Sequence, residues 1–257
     1  MNKSHLATIL ALAAIIGSAV SVMADTFAYM NTQTGDFGTL NLTTGAFSLQ
    51  GNSGETLAGM AVVNSTLYGS SYANSHPGNL YSINAADGSL TLIGSSGIVF
   101  DDFGSTAAGG LYAVSTSSNL YSINTSNGAA TLIGAIGLSL SGFRSLSNGG
   151  SALYFADGTD IYTLNTVTGA ATLVGNTGGP GIGAMAFLNG TLYGGADSPD
   201  IRVDTLDPIT GAATSGPAVT GTIGQFYGLT AVPEPGTWVC VALGSAMLVL
   251  LRRRRRA

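Results

Sequence analysis

Between residues 25 and 231 the chain carries twelve of its thirteen acids, two arginines (Arg144 and Arg202), no lysine and no cysteine. Acid–base or nucleophilic chemistry in this stretch must therefore be built from carboxylates, hydroxyls and one imidazole. That imidazole is His76, in the segment YANSHPGN (72–79). Cys–His and Ser–Lys pairs cannot be assembled, and a Ser-His-Asp set would have to use His76. No G-x-S-x-G elbow surrounds a serine, so His76 reads as a loop residue. Carboxylates are the better candidates. Asp36, Asp101, Asp102, Asp157 and Asp204 are spread along the stretch, and glycoside hydrolysis needs two opposed carboxyl groups about 5–10 Å apart. Only one glutamate, Glu55, accompanies them, and aspartates also cap turns and solvate loops.

One acidic pattern suits a metal. Asp157-Gly-Thr-Asp160 and Asp197-Ser-Pro-Asp200 occupy the same interstrand position in successive repeats. Paired turn oxygens suit Ca²⁺, which takes roughly six to eight oxygen ligands. The corresponding segments HPGN (76–79) and STSSN (115–119) lack the acids, and EF-hand spacing is absent. Polar turns explain the pairs as well. Ca²⁺ is the one cofactor the pattern allows; otherwise none is expected.

The elements that would position these groups recur. GTLNLTTGAFSLQG (38–51), LYSINAADGSLTLIG (80–94), LYSINTSNGAATLIG (120–134), IYTLNTVTGAATLVG (161–175) and VDTLDPITGAATSG (203–216) align on Asn41, Asn84, Asn124, Asn165 and Asp207, which lie 43, 40, 41 and 42 residues apart. A glycine follows each anchor four positions later, so each copy reads as strand, tight turn, strand. A second hairpin falls in each interval, clearest in GMAVVNSTLYGSS (59–71) and AMAFLNGTLYGGA (184–196), where Asn-Ser and Asn-Gly supply the turn. LYAVS (111–115) and ALYFA (152–156) are degenerate copies of the same strand. Asn64 and Asn189, like Asn41 and Asn124, begin N-x-Ser/Thr triplets, which hairpin chemistry accounts for.

Four short strands per repeat of about 41 residues point to a β-propeller. Blades packed face to face suit strands apolar on both sides, such as SLTLIG (89–94). FAYM (27–30), GTLNL (38–42) and AFSLQ (46–50) supply three strands of a first blade, and FYGLTAV (226–232), which aligns with GMAVV, supplies the fourth. The expected fold is all-β: five four-stranded blades, one closed by the two ends of the domain, with a C-terminal transmembrane helix. The repeats lack the WD dipeptide, and the one tryptophan is Trp238.

The ends of the chain read as addresses. Charged residues make up 8% of the 257 against roughly 25% in ordinary domains. Disorder is excluded by the 45% hydrophobic content, a disulfide scaffold by the single cysteine, and nucleic-acid binding by the missing basic clusters in the domain. Lys3 precedes the apolar run 7–24 and small residues stand at Val22 and Ala24, a Sec signal peptide over 1–24 with cleavage between Ala24 and Asp25. At the other end, TWVCVALGSAMLVLL (237–251) is followed by Arg252, Arg253, Arg254, Arg255 and Arg256, a membrane stop that holds its end in the cytoplasm. This places 25–231 on the exported side.

Val232, Pro233, Glu234, Pro235 and Gly236, then the apolar stretch, then the arginine cluster, resemble a PEP-CTERM sorting tail over residues 232–257. The same tail is also labelled after ice-binding proteins that carry it. The resemblance implies a Gram-negative bacterium making extracellular polysaccharide, and an exosortase, a membrane processing enzyme, as partner. It implies transient anchorage in the inner membrane, removal of the tail, and a final location at the cell surface or in the extracellular matrix. A stiff linker before a permanent anchor is the other reading of the prolines.

Two functional classes fit. The first is a non-enzymatic surface or matrix protein whose propeller holds exopolysaccharide or a protein partner. The second is a secreted carbohydrate-active enzyme, glycosidase-like, with channel carboxylates. Two facing acids at one mouth of the channel favour the enzyme; a channel lined by Ser, Thr and Gly favours the first class.

Overall fold

The computed structural model describes residues 26–72, 76–147, 150–179, 181–196, 201–221 and 224–232. The signal peptide with Ala24 and Asp25, the tail with Pro233, Glu234, Pro235 and Arg252 to Arg256, and the pair Asp197 and Asp200 lie outside the described residues. No helix among the described residues is long and apolar enough to cross a membrane.

The chain forms β1 (Phe27–Thr32), β2 (Asp36–Asn41) and β3 (Phe47–Asn52), then β4 (Leu57–Val63), β5 (Thr66–Ser71), β6 (Asn79–Ile83) and β7 (Leu90–Ser95). A third set follows with β8 (Phe100–Ser105), β9 (Leu111–Ser115), β10 (Asn119–Ile123) and β11 (Ala130–Ala135). The fourth is β12 (Arg144–Leu146), β13 (Leu153–Asp157), β14 (Asp160–Leu164) and β15 (Ala171–Asn176). The fifth is β16 (Ile182–Leu188), β17 (Thr191–Ala196), β18 (Arg202–Leu206) and β19 (Ala213–Thr214), and β20 (Phe226–Ala231) ends the described chain. These are five antiparallel four-stranded sheets, and β20 pairs with β1 to complete the first. The strands β20, β4, β8, β12 and β16 contact one another around the axis. The molecule is a five-bladed propeller closed by its two ends.

Each blade's outer hairpin is built by one device. The carbonyl of Asn41, Asn84, Asn124, Asn165 or Asp207 accepts the N–H of the glycine four residues on, at 2.8 Å in every copy. The anchor side chain accepts a further backbone N–H two residues on, as Asn41 does from Thr43 and Asp207 from Ile209. Those glycines hold φ of 74 to 83°, a left-handed backbone that a side chain disfavours. The inner hairpins turn on Asn64-Ser65 (φ 49 and 65°) and Asn189-Gly190 (φ 51 and 83°), as two-residue turns require.

The apolar residues form five clusters, one between each pair of neighbouring blades. Phe37, Leu57 and Met60 pack between blades one and two; Ala28, Leu40 and Phe226 join blades five and one. Fully burying one such side chain stabilises by about 1.5–3 kcal/mol. The outer strands differ from expectation. SLTLIG is not buried on both faces: it forms β7, the rim of its blade, with Leu92 57% exposed. Leu49, Leu132 and Leu173 take the same exposed position on β3, β11 and β15. The strands buried on both faces are the inner ones, such as β4 and β8.

A second closure lies outside the sheet pairing. β19 has two residues, and the chain beyond it crosses to blade one. Val219 N–H donates to Ile201 O (2.8 Å), Thr220 N–H to Gly45 O (2.9 Å), and Phe47 N–H to Thr220 O (2.9 Å). Residues 26–232 thus contain both closures and all five cores.

Candidate binding site at the channel mouth

Four inner strands carry a β-bulge near their first residue, where the register skips Ala58, Asp101, Gly183 and Tyr227. A bulge adds one residue and re-aims its side chain, and bulges gather beside functional sites. These four residues and Arg144, the first residue of β12, line one cavity of about 140 Å³ together with Tyr72, Gly142, Phe143 and Phe226. Each blade contributes to it. It opens where the inner strands begin. A second concavity, about 250 Å³, lies where they end and is lined by Val62, Ser105, Thr106, Phe187 and Thr230 among others.

The first mouth combines aromatic rings with one ion pair. Tyr72 and Tyr227 meet edge to face, with ring centroids 5.3 Å apart. Tyr72 and Phe143 are 40% and 46% exposed. Arg144 Nη1 lies 2.6 Å from Asp101 Oδ2, so two neighbouring blades share a charge-assisted hydrogen bond. Burial pushes the Asp101 carboxyl above its usual range; Arg144 opposes that and the nearby Asp157 adds to it.

Asp102, one residue on, is turned away from the cavity. It accepts N–H bonds from Phe103 (2.6 Å) and Leu146 (2.7 Å). A Cβ on Gly59 would overlap its carboxylate, so blade two has glycine there. Its pKa is raised well above the usual value by burial, against which the two N–H bonds act.

The other sequence candidates are dispersed. Asp157 accepts N–H bonds from Ser141 (3.1 Å) and Gly142 (2.9 Å), holding the loop that delivers Phe143. Asp160 accepts from Asn176 Nδ2 at 2.6 Å, as Asp36 does from Asn52 Nδ2 at 2.9 Å. Asp157 and Asp160 are therefore engaged separately. No group of three or more His, Cys, Asp or Glu able to hold a metal occurs among the described residues. Asp204 is fully buried, binds Arg202 Nε (2.8 Å) and Gly216 N–H (3.1 Å), and fastens the segment of the second closure. His76 Nδ1 lies 2.9 Å from Glu55 Oε1, and the same carboxylate oxygen accepts the Tyr81 hydroxyl at 3.3 Å; none of the three lines the cavity.

The mouth thus matches neither arrangement expected of it. It is not a pair of opposed free acids, because Asp101 is paired and Asp102 is buried beneath. Nor is it a ring of Ser, Thr and Gly. Sequence reasoning named Asp101 and Asp102 and missed Tyr72, Phe143, Arg144 and Tyr227. The signal for Arg144 and Tyr227 was present: Ala58, Asp101, Arg144, Gly183 and Tyr227 hold one position of the sequence repeat and differ in every copy.

No family model matches the chain, and no curated protein matches it. Among solved structures it is similar to the nidogen/laminin complex, with a TM-score of 0.56 and 12% identity over 80% of this chain and 97% of that one. It also aligns with the extracellular domain of a hybrid two-component system from B. thetaiotaomicron, at TM-score 0.41 and 16% identity over 78% of this chain and 27% of that one. At 12% identity, the nidogen/laminin likeness establishes the propeller fold and nothing finer.

Proposed function

We propose that the chain is an exported, non-enzymatic surface or matrix protein whose propeller holds a polysaccharide or protein partner. On this reading residues 1–24 direct Sec export, and 232–257 form a PEP-CTERM tail with a transient membrane helix at 237–251, removed by an exosortase-type enzyme. One observation carries the binding role: the channel mouth is a concave aromatic surface whose lining acid, Asp101, is already paired with Arg144. Such a surface binds, because apolar walls with a few convergent polar groups fix a ligand's orientation. The glycosidase alternative has the upward-shifted Asp101 carboxyl in its favour. Its opposed partner would have to be Asp157, whose carboxylate is occupied by Ser141 and Gly142 N–H groups.

The architecture also supports an orientation. Val232 N–H donates to Phe27 O (3.2 Å), so both ends of the domain leave side by side. They leave where the inner strands end, opposite the aromatic mouth. A propeller anchored through its tail therefore presents that mouth away from the membrane. The test is affinity electrophoresis of residues 25–232 in gels containing the host's exopolysaccharide. Retardation relative to a sugar-free gel is expected; equal mobility in both gels overturns the polysaccharide reading, and shortening of the polysaccharide during incubation overturns the non-enzymatic one.

A further inference from the structure

We infer that the cavity at the channel mouth is a subsite for one neutral sugar ring, held by Tyr72, Phe143 and Tyr227 and hydrogen-bonded by the Asp101–Arg144 pair. This deepens the binding role proposed above and rests on it.

Size selects a single ring. The cavity measures about 140 Å³, close to the roughly 150 Å³ engineered cavity that accommodates benzene. A chain would enter by one residue, with its neighbours lying across the exposed Tyr72 and Phe143.

Chemistry selects a polyhydroxylated ring. The walls present aromatic groups from three elements, and an aromatic face carries negative charge density that attracts the C–H edges of a sugar. Beside them Asp101 Oδ2 is engaged by Arg144 Nη1. A guanidinium carries further N–H donors in a rigid plane, and those of Arg144 have no other protein partner among the described residues. Asp101 Oδ1 likewise has none. One fixed pair thus offers an acceptor and donors side by side, the complement of adjacent hydroxyls on a ring. A site with such groups rejects ligands that cannot satisfy them, because they would be left unpaired.

Charge excludes acidic sugars. The arginine is neutralised by Asp101, Asp157 adds negative potential beside it, and the surrounding stretch holds twelve acids to two arginines. A uronate would meet this field without a free cation to pair with.

Saturation-transfer NMR tests this on residues 25–232, with methyl glucoside, galactoside and mannoside, the corresponding uronates, and N-acetyltyrosinamide as a peptide probe. At least one neutral glycoside is expected to bind, with its uronate at least tenfold weaker. Tyr72→Ala and Asp101→Asn, whose melting is checked first, should each weaken it at least tenfold; Tyr72 is the safer variant because it is 40% exposed. Equal or tighter uronate binding overturns the inference, as does N-acetyltyrosinamide binding without any glycoside. If the polysaccharide retards wild type and both variants equally, the subsite is wrong and the broader reading stands. If a glycoside binds and the polysaccharide does not, the subsite stands and the polysaccharide reading fails.

Discussion

The Asp102 carboxylate on the inner strand of blade three accepts the backbone N–H of Leu146 on the inner strand of blade four, at 2.7 Å. It bonds Phe103 as well and abuts Gly59, so one side chain ties three blades at the axis.

Asp102→Ala should cost at least about 1–3 kcal/mol, because it leaves the Phe103 and Leu146 N–H donors buried without this acceptor. Burial raises the Asp102 carboxyl well above its usual value. The folded protein therefore retains a proton that the unfolded chain releases near pH ~4. Between the unfolded and the folded pKa the native state binds more protons, so this group's contribution to stability falls as pH rises through that window. Urea titrations from pH 4 upward should show a smaller loss of stability with pH in the variant. Parallel pH profiles for the two proteins would reject the assignment.

Blade spacing depends on glycines that approach the next blade's turn. A Cβ on Gly94 would overlap the Asn127 carbonyl, and one on Gly134 that of Thr168. Gly94→Ala should destabilise by about 1–3 kcal/mol, the usual cost of overpacking. Gly179→Ala, where nothing lies within 4 Å of the new methyl, should stay within about 0.5 kcal/mol of wild type. Thermal melts of the two variants check this.

Removal of residues 226–232 takes the inner strand from blade one and exposes the edge of β1 and the buried residues that pack on Phe226 and Leu229, such as Met30 and Ala184. An unpaired apolar edge invites pairing between molecules. The truncated domain should aggregate on expression; a monomer with an unchanged melting temperature would count against ring closure as the source of stability.

Mature protein taken from the cell surface should yield no peptide from 237–251 by mass spectrometry, and its N-terminus should be Asp25. Replacing Glu234, or Arg252 to Arg256, should leave uncleaved precursor in the inner membrane. Surface material that still carries 237–251 would make the tail a permanent anchor.

The scaffold was legible because its positions repeat. The Asn-to-Gly turn recurs in four blades, with Asp207 replacing Asn in the fifth, since the same Asx geometry is needed each time. Even the closing strand could be matched to GMAVV. The mouth was hidden for the opposite reason. Ala58, Asp101, Arg144, Gly183 and Tyr227 share a position in the repeat and no chemistry, so a search for recurrence passes over them. The bulges at four of them have no sequence mark, and Tyr72 and Phe143 come from loops of different length. The misplacement of SLTLIG has a physical cause too: it forms β7, the outermost strand of its blade, with no strand beyond it to cover Leu92. In a repeat protein, shared residues report the frame, and the residues that break the pattern report the site.

The pairing of Ala28 with Ala231 also sets a timetable. A polypeptide delivered from its N-terminus onward presents β1 first and its partner β20 last, so blade one stays incomplete until almost the whole domain has emerged. Contacts between such distant parts of a chain form slowly. Blades two to five can each assemble from contiguous segments, whereas the final join must wait. For an exported chain the wait ends on the far side of the membrane, and a tail held in the bilayer would keep the unfinished ring beside its point of exit until the last strand docks.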